Sequence, residues 1–204
     1  MDLTFNAVAG RFADERGRFV SEARVRQAVD QIADTASARL TAASTRLLAG
    51  ELSLASWQVE SMATVKSAHL ATSTIANGGA ARMGFSEYGR VGNHLRGEYA
   101  YMRDMAAQIA DGRQPLNGSL TARAAQYGQG VRVTYERERG RGQAARGYTS
   151  ERNRLSSSEH CSQCREQTAR GWQPIGTLVP VGRRLCRGNC RCSVEYSREA
   201  AKAA

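Results

Sequence analysis

All five cysteines of this 204-residue chain lie in one window near its C-terminus, as Cys161-x2-Cys164 and Cys186-x3-Cys190-x-Cys192. A segment of about 40 residues cannot bury enough apolar surface to fold alone, so a metal ion or disulfides would have to stabilise it. The odd number of cysteines does not fit a closed disulfide set. The N-terminus also lacks the basic and apolar regions of a secretory signal. We therefore expect a reducing cytoplasm and a metal site.

Thiolate ligands in a tetrahedron are typical of structural zinc. The Cys-x2-Cys pair predicts Cys161 and Cys164 as two ligands, and the second cluster follows after 21 residues. Cys190 and Cys192 would share one face of an extended strand, and Cys186 is the alternative from the preceding turn. The turn-rich segment "GWQPIGTLVPVG" predicts a short β-hairpin that brings the two clusters together. His160 could replace a sulfur, but it directly adjoins Cys161.

The sequence predicts no enzyme. A catalytic zinc keeps an open position and usually has histidine or carboxylate ligands. The three histidines, His69, His94 and His160, match no nuclease, protease or deaminase pattern. His69 and His94 fall within helical patterns, and we interpret them as ordinary helix residues. "GRGQAARG" lacks the preceding strand and the Lys-Ser/Thr of a nucleotide-binding loop.

The positive charge is concentrated in the C-terminal third. Residues 1–130 carry 14 Lys and Arg against 12 Asp and Glu, a net charge of +2, whereas residues 131–204 carry 15 against 7, or +8. A basic segment favours contact with nucleic acid or with an acidic protein surface, although it could also be an ordinary solvated face. The candidate contact residues are Arg137, Arg139, Arg141, Arg146, Arg152 and Arg154.

Hydrophobic periodicity predicts a mainly α protein. Apolar residues recur at helical spacing over 20–49, after Ser53 as N-cap to the break at Asn77-Gly78-Gly79, after Ser86 to Asp111-Gly112, and from Ser119 to about Arg139. We expect an amphipathic helical bundle or an extended helical body, with a small C-terminal cysteine-rich zinc-knuckle module. Three glycines in the third helix indicate either close packing or kinks, namely Gly89, Gly92 and Gly97.

These patterns predict four segments. Residues 1–19 form an N-terminal segment, 20–139 the helical body, 140–156 a basic Gly/Arg linker, and 157–204 the cysteine-rich zinc-knuckle module and tail. The linker is inferred from its glycines, arginines and serine run. No apolar run reaches the ~18 residues that would span a bilayer.

The order of these motifs resembles the Mu F-like family of phage minor head proteins, also called head-morphogenesis proteins. The resemblance rests on "HCSQC", a Leu-Val-Pro turn and the closing "NCRC", together with the helical stretches "GELSLASWQ", "EYGRVGNHLRGEYAYMRDMAAQIADGR" and "ARAAQYGQGVRVTYERER". It covers roughly residues 45–196. Many relatives carry a histidine at the position of Arg187, which cannot bind zinc, and Cys186 is the residue that could replace it.

The resemblance implies a structural protein of a tailed-phage virion, made in the host cytoplasm and present in the head in several copies. Its implied partners are the portal or the major capsid protein and packaged double-stranded DNA, with no membrane involved. It would assist head assembly or DNA packaging and delivery. A sequence-nonspecific nucleic-acid-binding zinc protein is the alternative, and a metal-dependent nuclease is the least favoured one.

Overall fold

A computed structural model describes residues 3–156 and 159–199, and confirms the mainly α fold class. Contacts divide the chain into two compact units at Val131 and Arg132. We call them the helical unit (3–131) and the cysteine unit (132–156 and 159–199). The helices are α1 (Glu22–Leu48), α2 (Leu54–Asn77), α3 (Phe85–Ala110), α4 (Gly118–Gln129), α5 (Val131–Ala145) and α6 (Ser162–Ala169). The strands are β1 (Thr4–Asn6), β2 (Arg11–Ala13), β3 (Phe19–Val20), β4 (Ser150–Arg154), β5 (Gln173–Pro174) and β6 (Ser193–Ser197).

The predicted signals at the ends of the first helices are present. Ser53 caps α2, because its Oγ accepts the Ser56 backbone N–H at 3.1 Å. Gly78 ends α2 in the left-handed conformation with φ 95°, which only glycine adopts without strain. Strands β1 to β3 form a small antiparallel sheet within the segment that was expected to precede the helices.

The core of the helical unit forms where α1, α2, α3 and α4 pack together. Trp57 is fully buried at its centre. Its indole Nε1 donates to Ser44 Oγ at 3.0 Å, and that hydroxyl donates to the Leu40 carbonyl at 2.8 Å. The surrounding buried side chains include Leu40, Val65, Val91, Leu95, Met102, Met105 and Leu120.

The helical glycines differ in whether a close contact between helices requires them. A Cβ on Gly128 of α4 would lie 2.8 Å from Ser37 Cα of α1, so these two helices require glycine there. Gly89, Gly92 and Gly97 are exposed, and a Cβ on each would meet nothing within 4 Å. They therefore mediate no close packing, and α3 continues through them.

Two sequence predictions need correction. The helix expected from Ser119 to about Arg139 is two helices, because α4 ends before Gly130 and α5 runs on to Ala145. The segment 140–156, predicted as a linker, contains the last turns of α5 and strand β4. None of the described helices is long and apolar enough to cross a membrane.

Strand β4 is the central strand of the cysteine unit. The sheet order is β5-β4-β6, and both pairs are antiparallel. Ser150, Glu151 and Asn153 of this strand are buried although all three are polar. Buried polar groups require hydrogen-bond partners, so β4 has to be held by specific contacts.

Candidate metal centre

Helix α6 positions the first pair of cysteines. Cys161 is the residue directly before the helix, and Cys164 lies in its first turn. Residues three apart on a helix share one face, so both sulfurs point to the same side. Cys164 is buried and Cys161 is half-buried.

The second cluster reaches these sulfurs through one tight turn. Cys186 precedes a short 3-10 turn, Arg187–Asn189, and Cys190 follows it. Arg187 adopts φ 48°, the single positive φ among the described non-glycine residues. Because this turn reverses the chain, Cys186 and Cys190 both come close to Cys164.

Three sulfur–sulfur distances in the cluster are close to those around a tetrahedral ion. Cys186 Sγ lies 3.6 Å from the Sγ of both Cys161 and Cys164, and Cys164 Sγ lies 3.7 Å from Cys190 Sγ. Four sulfurs at the ordinary Zn–S distance would be about 3.8 Å apart. Cys192 also belongs to the cluster, since its sulfur lies within 4.8 Å of those of Cys164 and Cys190. The cluster is therefore buried and close enough to hold a metal ion.

The protonation of the thiols reflects this crowding. Burial raises the pKa of Cys164 to about 12. The hydrogen bond between Cys190 and Cys192 lowers the pKa of Cys192 to about 5 and raises that of Cys190. A metal ion binds thiolates, so metal binding would displace the shared protons.

A buried arginine adjoins the sulfurs. Arg184 is only 2% exposed, and its Nη1 lies 3.7 Å from Cys164 Sγ. Nη1 also donates to Asn153 Oδ1 at 2.7 Å, while Nε donates to the Val179 carbonyl at 2.8 Å. The guanidinium thereby places a positive charge beside the Cys164 sulfur, where it would favour the thiolate form that binds a metal. The sequence analysis missed Arg184, because nothing in "GRRLC" distinguishes it from the exposed Arg183.

Polar side chains of β4 and α6 hold the segment between the two clusters. Glu151 Oε1 accepts the backbone N–H groups of Gly176 and Leu178, both at 2.9 Å. Gln167 Oε1 accepts the Val179 N–H at 2.9 Å. The Val179 carbonyl is then in place to accept from Arg184. These contacts explain why Glu151 and Gln167 are buried.

His160 lies beside Cys192 and not at the centre of the cluster. Its Nδ1 is 3.7 Å from Cys192 Sγ, and its Nε2 is 2.9 Å from the Ser156 carbonyl. It is therefore placed to orient one sulfur rather than to replace one.

The arginines predicted as contact residues are largely engaged inside the cysteine unit. Arg139 is buried, donates to the Val194 carbonyl, and lies over the Tyr196 ring at 4.9 Å from its centroid. It cannot serve as an exposed contact, and this part of the prediction is wrong. Arg152 and Arg154 both pair with Glu195, at 2.6 and 3.1 Å.

The side chain of Arg154 is nevertheless 55% exposed, and the remaining three candidates are also partly accessible. The side chain of Arg141 is 51% exposed, although it pairs with Glu138 at 2.6 Å. Arg137 and Arg146 are half-buried, and burial lowers the pKa of Arg137. Other described arginines of the unit are exposed and were not singled out from the sequence: Arg165, Arg170, Arg183, Arg187, Arg191 and Arg198.

The comparisons with known proteins leave the geometry of the cluster as the main guide to function. The resemblance to phage minor head proteins stays a prediction from the motif order. Searches against protein-family models, curated proteins and solved structures find no match for this chain.

Proposed function

We propose that the chain is a structural protein whose cysteine unit folds around one zinc ion, and that it serves as a minor head protein of a tailed bacteriophage. The observation that carries the metal proposal is the set of sulfur–sulfur distances of 3.6 to 3.7 Å around Cys164. The head role is supported by the order of the motifs around these cysteines.

Zinc is the ion that this ligand chemistry favours. A site with only thiolate ligands is typical of zinc or of iron–sulfur clusters, and a single tetrahedral position suits zinc. Because thiolates would fill all four positions, no site would remain for a substrate or an activated water. The ion would then stabilise the fold and would not catalyse a reaction.

Cys161, Cys164, Cys186 and Cys190 are the ligands that we infer. Three sulfur–sulfur distances of 3.6 to 3.7 Å connect these four residues in a continuous chain. Cys192 is the fifth sulfur, next to Cys190 and His160. It would accept hydrogen bonds near the site instead of binding the ion.

Single serine variants test this ligand set. Cys186→Ser and Cys190→Ser should each remove about one zinc ion per chain relative to the natural sequence, while Cys192→Ser should retain it. Elemental analysis measures the content, and Ser162→Ala serves as a control, since Ser162 is exposed on the same helix as Cys164. Retention of zinc by Cys190→Ser and its loss from Cys192→Ser would exchange the two assignments.

The head role fits the charge of the cysteine unit. Residues 131–204 have a net charge of +8, and the exposed arginines Arg165, Arg187 and Arg191 each adjoin a cysteine of the cluster in the sequence. Such a surface would neutralise phosphates of packaged DNA or acidic residues of the portal or capsid protein, without reading base sequence.

The location of the protein in particles tests this role separately from the metal. The protein should be present in purified virions and should form crosslinks with portal or capsid subunits. Particles assembled without it should be malformed or poorly infectious. Its absence from purified virions would reject the head role, even if the chain contained zinc.

A sequence-nonspecific nucleic-acid-binding protein is the second candidate, favoured by the same exposed arginines. It predicts that the full chain binds double-stranded DNA with an affinity that falls steeply as salt is raised. Fluorescence anisotropy with two unrelated duplexes would measure this. Failure to bind either duplex at low salt would remove the candidate.

A further inference from the structure

The helical unit contains a second group of side chains that could ligate a metal. It consists of His69 on α2 and of His94 and Glu98 on α3. One ligand atom from each of the three residues lies within 4.8 Å of the other two. The sequence predicts both histidines to be ordinary helix residues, because they fall within helical patterns and match no ligand motif.

The pairing of α2 with α3 creates this group. His94 and Glu98 are four residues apart and therefore share one face of α3. His94 Nε2 lies 3.5 Å from Glu98 Oε1. The His69 ring approaches the His94 ring edge-on, with centroids 4.7 Å apart and an interplanar angle of 68°. Two helices thus present two imidazoles and one carboxylate to a common point.

The surroundings are mostly apolar. His69 is fully buried, and the side chains of His94 and Glu98 are only 20% and 21% exposed. Val65 lies one turn before His69 on α2, and Val91 and Leu95 flank His94 on α3; all three belong to the main core. Polar groups are costly in such a place unless specific partners compensate their desolvation.

The protonation states are compatible with metal binding. Burial, together with the neighbouring His94, lowers the pKa of His69 to about 3. His69 is therefore neutral at ordinary pH, which is the form of imidazole that binds metals. Burial raises the pKa of Glu98, and a bound cation would favour its charged form again.

We propose that His69, His94 and Glu98 bind one divalent transition-metal ion between α2 and α3. Two imidazoles and one carboxylate suit ions such as Zn²⁺, Co²⁺, Ni²⁺ or Fe²⁺, and suit Ca²⁺ poorly, since calcium prefers six or more oxygen ligands. Water can complete the coordination from the exposed side of His94 and Glu98.

The site is independent of the cysteine cluster, because all three ligands lie in the helical unit. Its ion would connect α2 with α3 and would stabilise that unit by binding only its folded form. The proposal therefore does not rest on the function proposed above.

Cobalt titration of the full chain tests the proposal. The chain is first loaded with one equivalent of Zn²⁺ and then titrated with Co²⁺, while native mass spectrometry counts the ions. We expect two ions per chain. The second should give the visible absorption of cobalt bound to nitrogen and oxygen, without the thiolate-to-cobalt charge-transfer band that exchange into the cysteine cluster would produce.

Variants assign the second ion to its ligands. Glu98→Gln and His94→Gln should each weaken binding of the second ion at least about tenfold while the first is retained. Asp104→Asn is the matched control, because Asp104 is an exposed carboxylate on the same helix. Far-UV circular dichroism reports whether each variant folds. Only a variant that folds is used to judge whether its side chain binds the second ion.

Two results would overturn the proposal. One is a metal content of the natural sequence that does not exceed that of folded Glu98→Gln or His94→Gln under the same loading. The other is a second ion that binds folded Glu98→Gln or His94→Gln as tightly as it binds the natural sequence.

Discussion

The two units of the chain bury very different side chains. The helical unit has an apolar core around Trp57, with aliphatic and methionine side chains from four helices. The cysteine unit buries cysteines and charged residues, including Arg132, Glu136, Glu138, Arg139, Glu151 and Arg184. The first unit is therefore stabilised mainly by the hydrophobic effect, and the second by specific polar contacts and by whatever the cysteines bind.

The two units should differ in how far the loss of one contact destabilises them. Apolar burial is distributed over many contacts and tolerates the loss of one of them in part. A buried polar network fails when one partner is removed, because the others lose their compensation. The cysteine unit should therefore respond to metal and ligand changes that leave the helical unit unaffected.

The largest expected effect is the loss of a metal ligand. Cys164→Ser should abolish metal binding by the cysteine cluster and unfold the cysteine unit, since structural zinc contributes about 10–16 kcal/mol to folding in small zinc domains. Hydrogen exchange read by mass spectrometry should show lost protection within residues 132–199 and preserved protection in α1 to α4.

Ser162→Ala should retain both the metal and the protection. If Cys164→Ser also removed protection from α1 to α4, the two units would not be independent.

Truncation of a core side chain of the helical unit should destabilise that unit and leave the cysteine unit unaffected. Trp57→Ala should destabilise the helical unit by about 3–5 kcal/mol, because it leaves a cavity and removes the indole donor to Ser44. Denaturant unfolding measures the change, and the metal bound by the cysteine cluster should stay the same. Trp57→Phe is the smaller control, which mainly removes the hydrogen bond. Loss of the cysteine-bound metal from folded Trp57→Ala would contradict the separation of the units.

Two helical glycines should respond in opposite directions. Gly128→Ala should destabilise the helical unit by about 1–3 kcal/mol, because the new Cβ would collide with the Ser37 backbone. Gly97→Ala should stabilise it by about 0.5–1 kcal/mol, because this position is exposed and helical. Thermal unfolding followed at helical wavelengths compares the pair. Equal destabilisation by both would reject the close contact of α1 with α4.

The smallest expected effect is a pH dependence confined to the start of α3. Glu87 accepts from Ser86 Oγ at 2.8 Å and from the Gly84 N–H at 3.0 Å, and these bonds lower its pKa to about 2. Since the pKa in the folded state is below the ordinary value of 4.5, the stabilisation exists above that value and is lost as the pH falls towards 2.

Glu87→Gln should therefore reduce the loss of stability between pH 4.5 and 2, by less than about 1 kcal/mol because the group is only partly buried and water screens its interactions. Chemical denaturation at several pH values measures this, with Asp104→Asn as the control. An unchanged pH profile in Glu87→Gln would show that this cap contributes nothing.

Sequence patterns predicted the helical unit better than the cysteine unit. In α1 to α3 the spacing of apolar residues, the Ser53 cap and the break at Gly78 are local signals, and local signals decide amphipathic helices. Cysteine spacing likewise predicted that the two groups of cysteines come together in one cluster, which is close enough to hold a metal ion.

Strand β4 shows why the fold of the cysteine unit could not be predicted from the sequence. Its sequence, "SERNR", contains no apolar residue and no alternation that predicts a buried strand. Its burial depends on partners distant in the chain, such as Glu195, which lies 43 residues after Arg152. Charge counting gave the excess of arginines correctly, but pairing across the sheet decides which of them are accessible.

The direct test of the central claim is zinc-edge X-ray absorption of the full chain loaded with one equivalent of zinc. If the cysteine unit folds around the ion, the first coordination shell should contain four sulfurs at about 2.3 Å. A shell made of nitrogen and oxygen, or a chain that retains no zinc, would contradict the account.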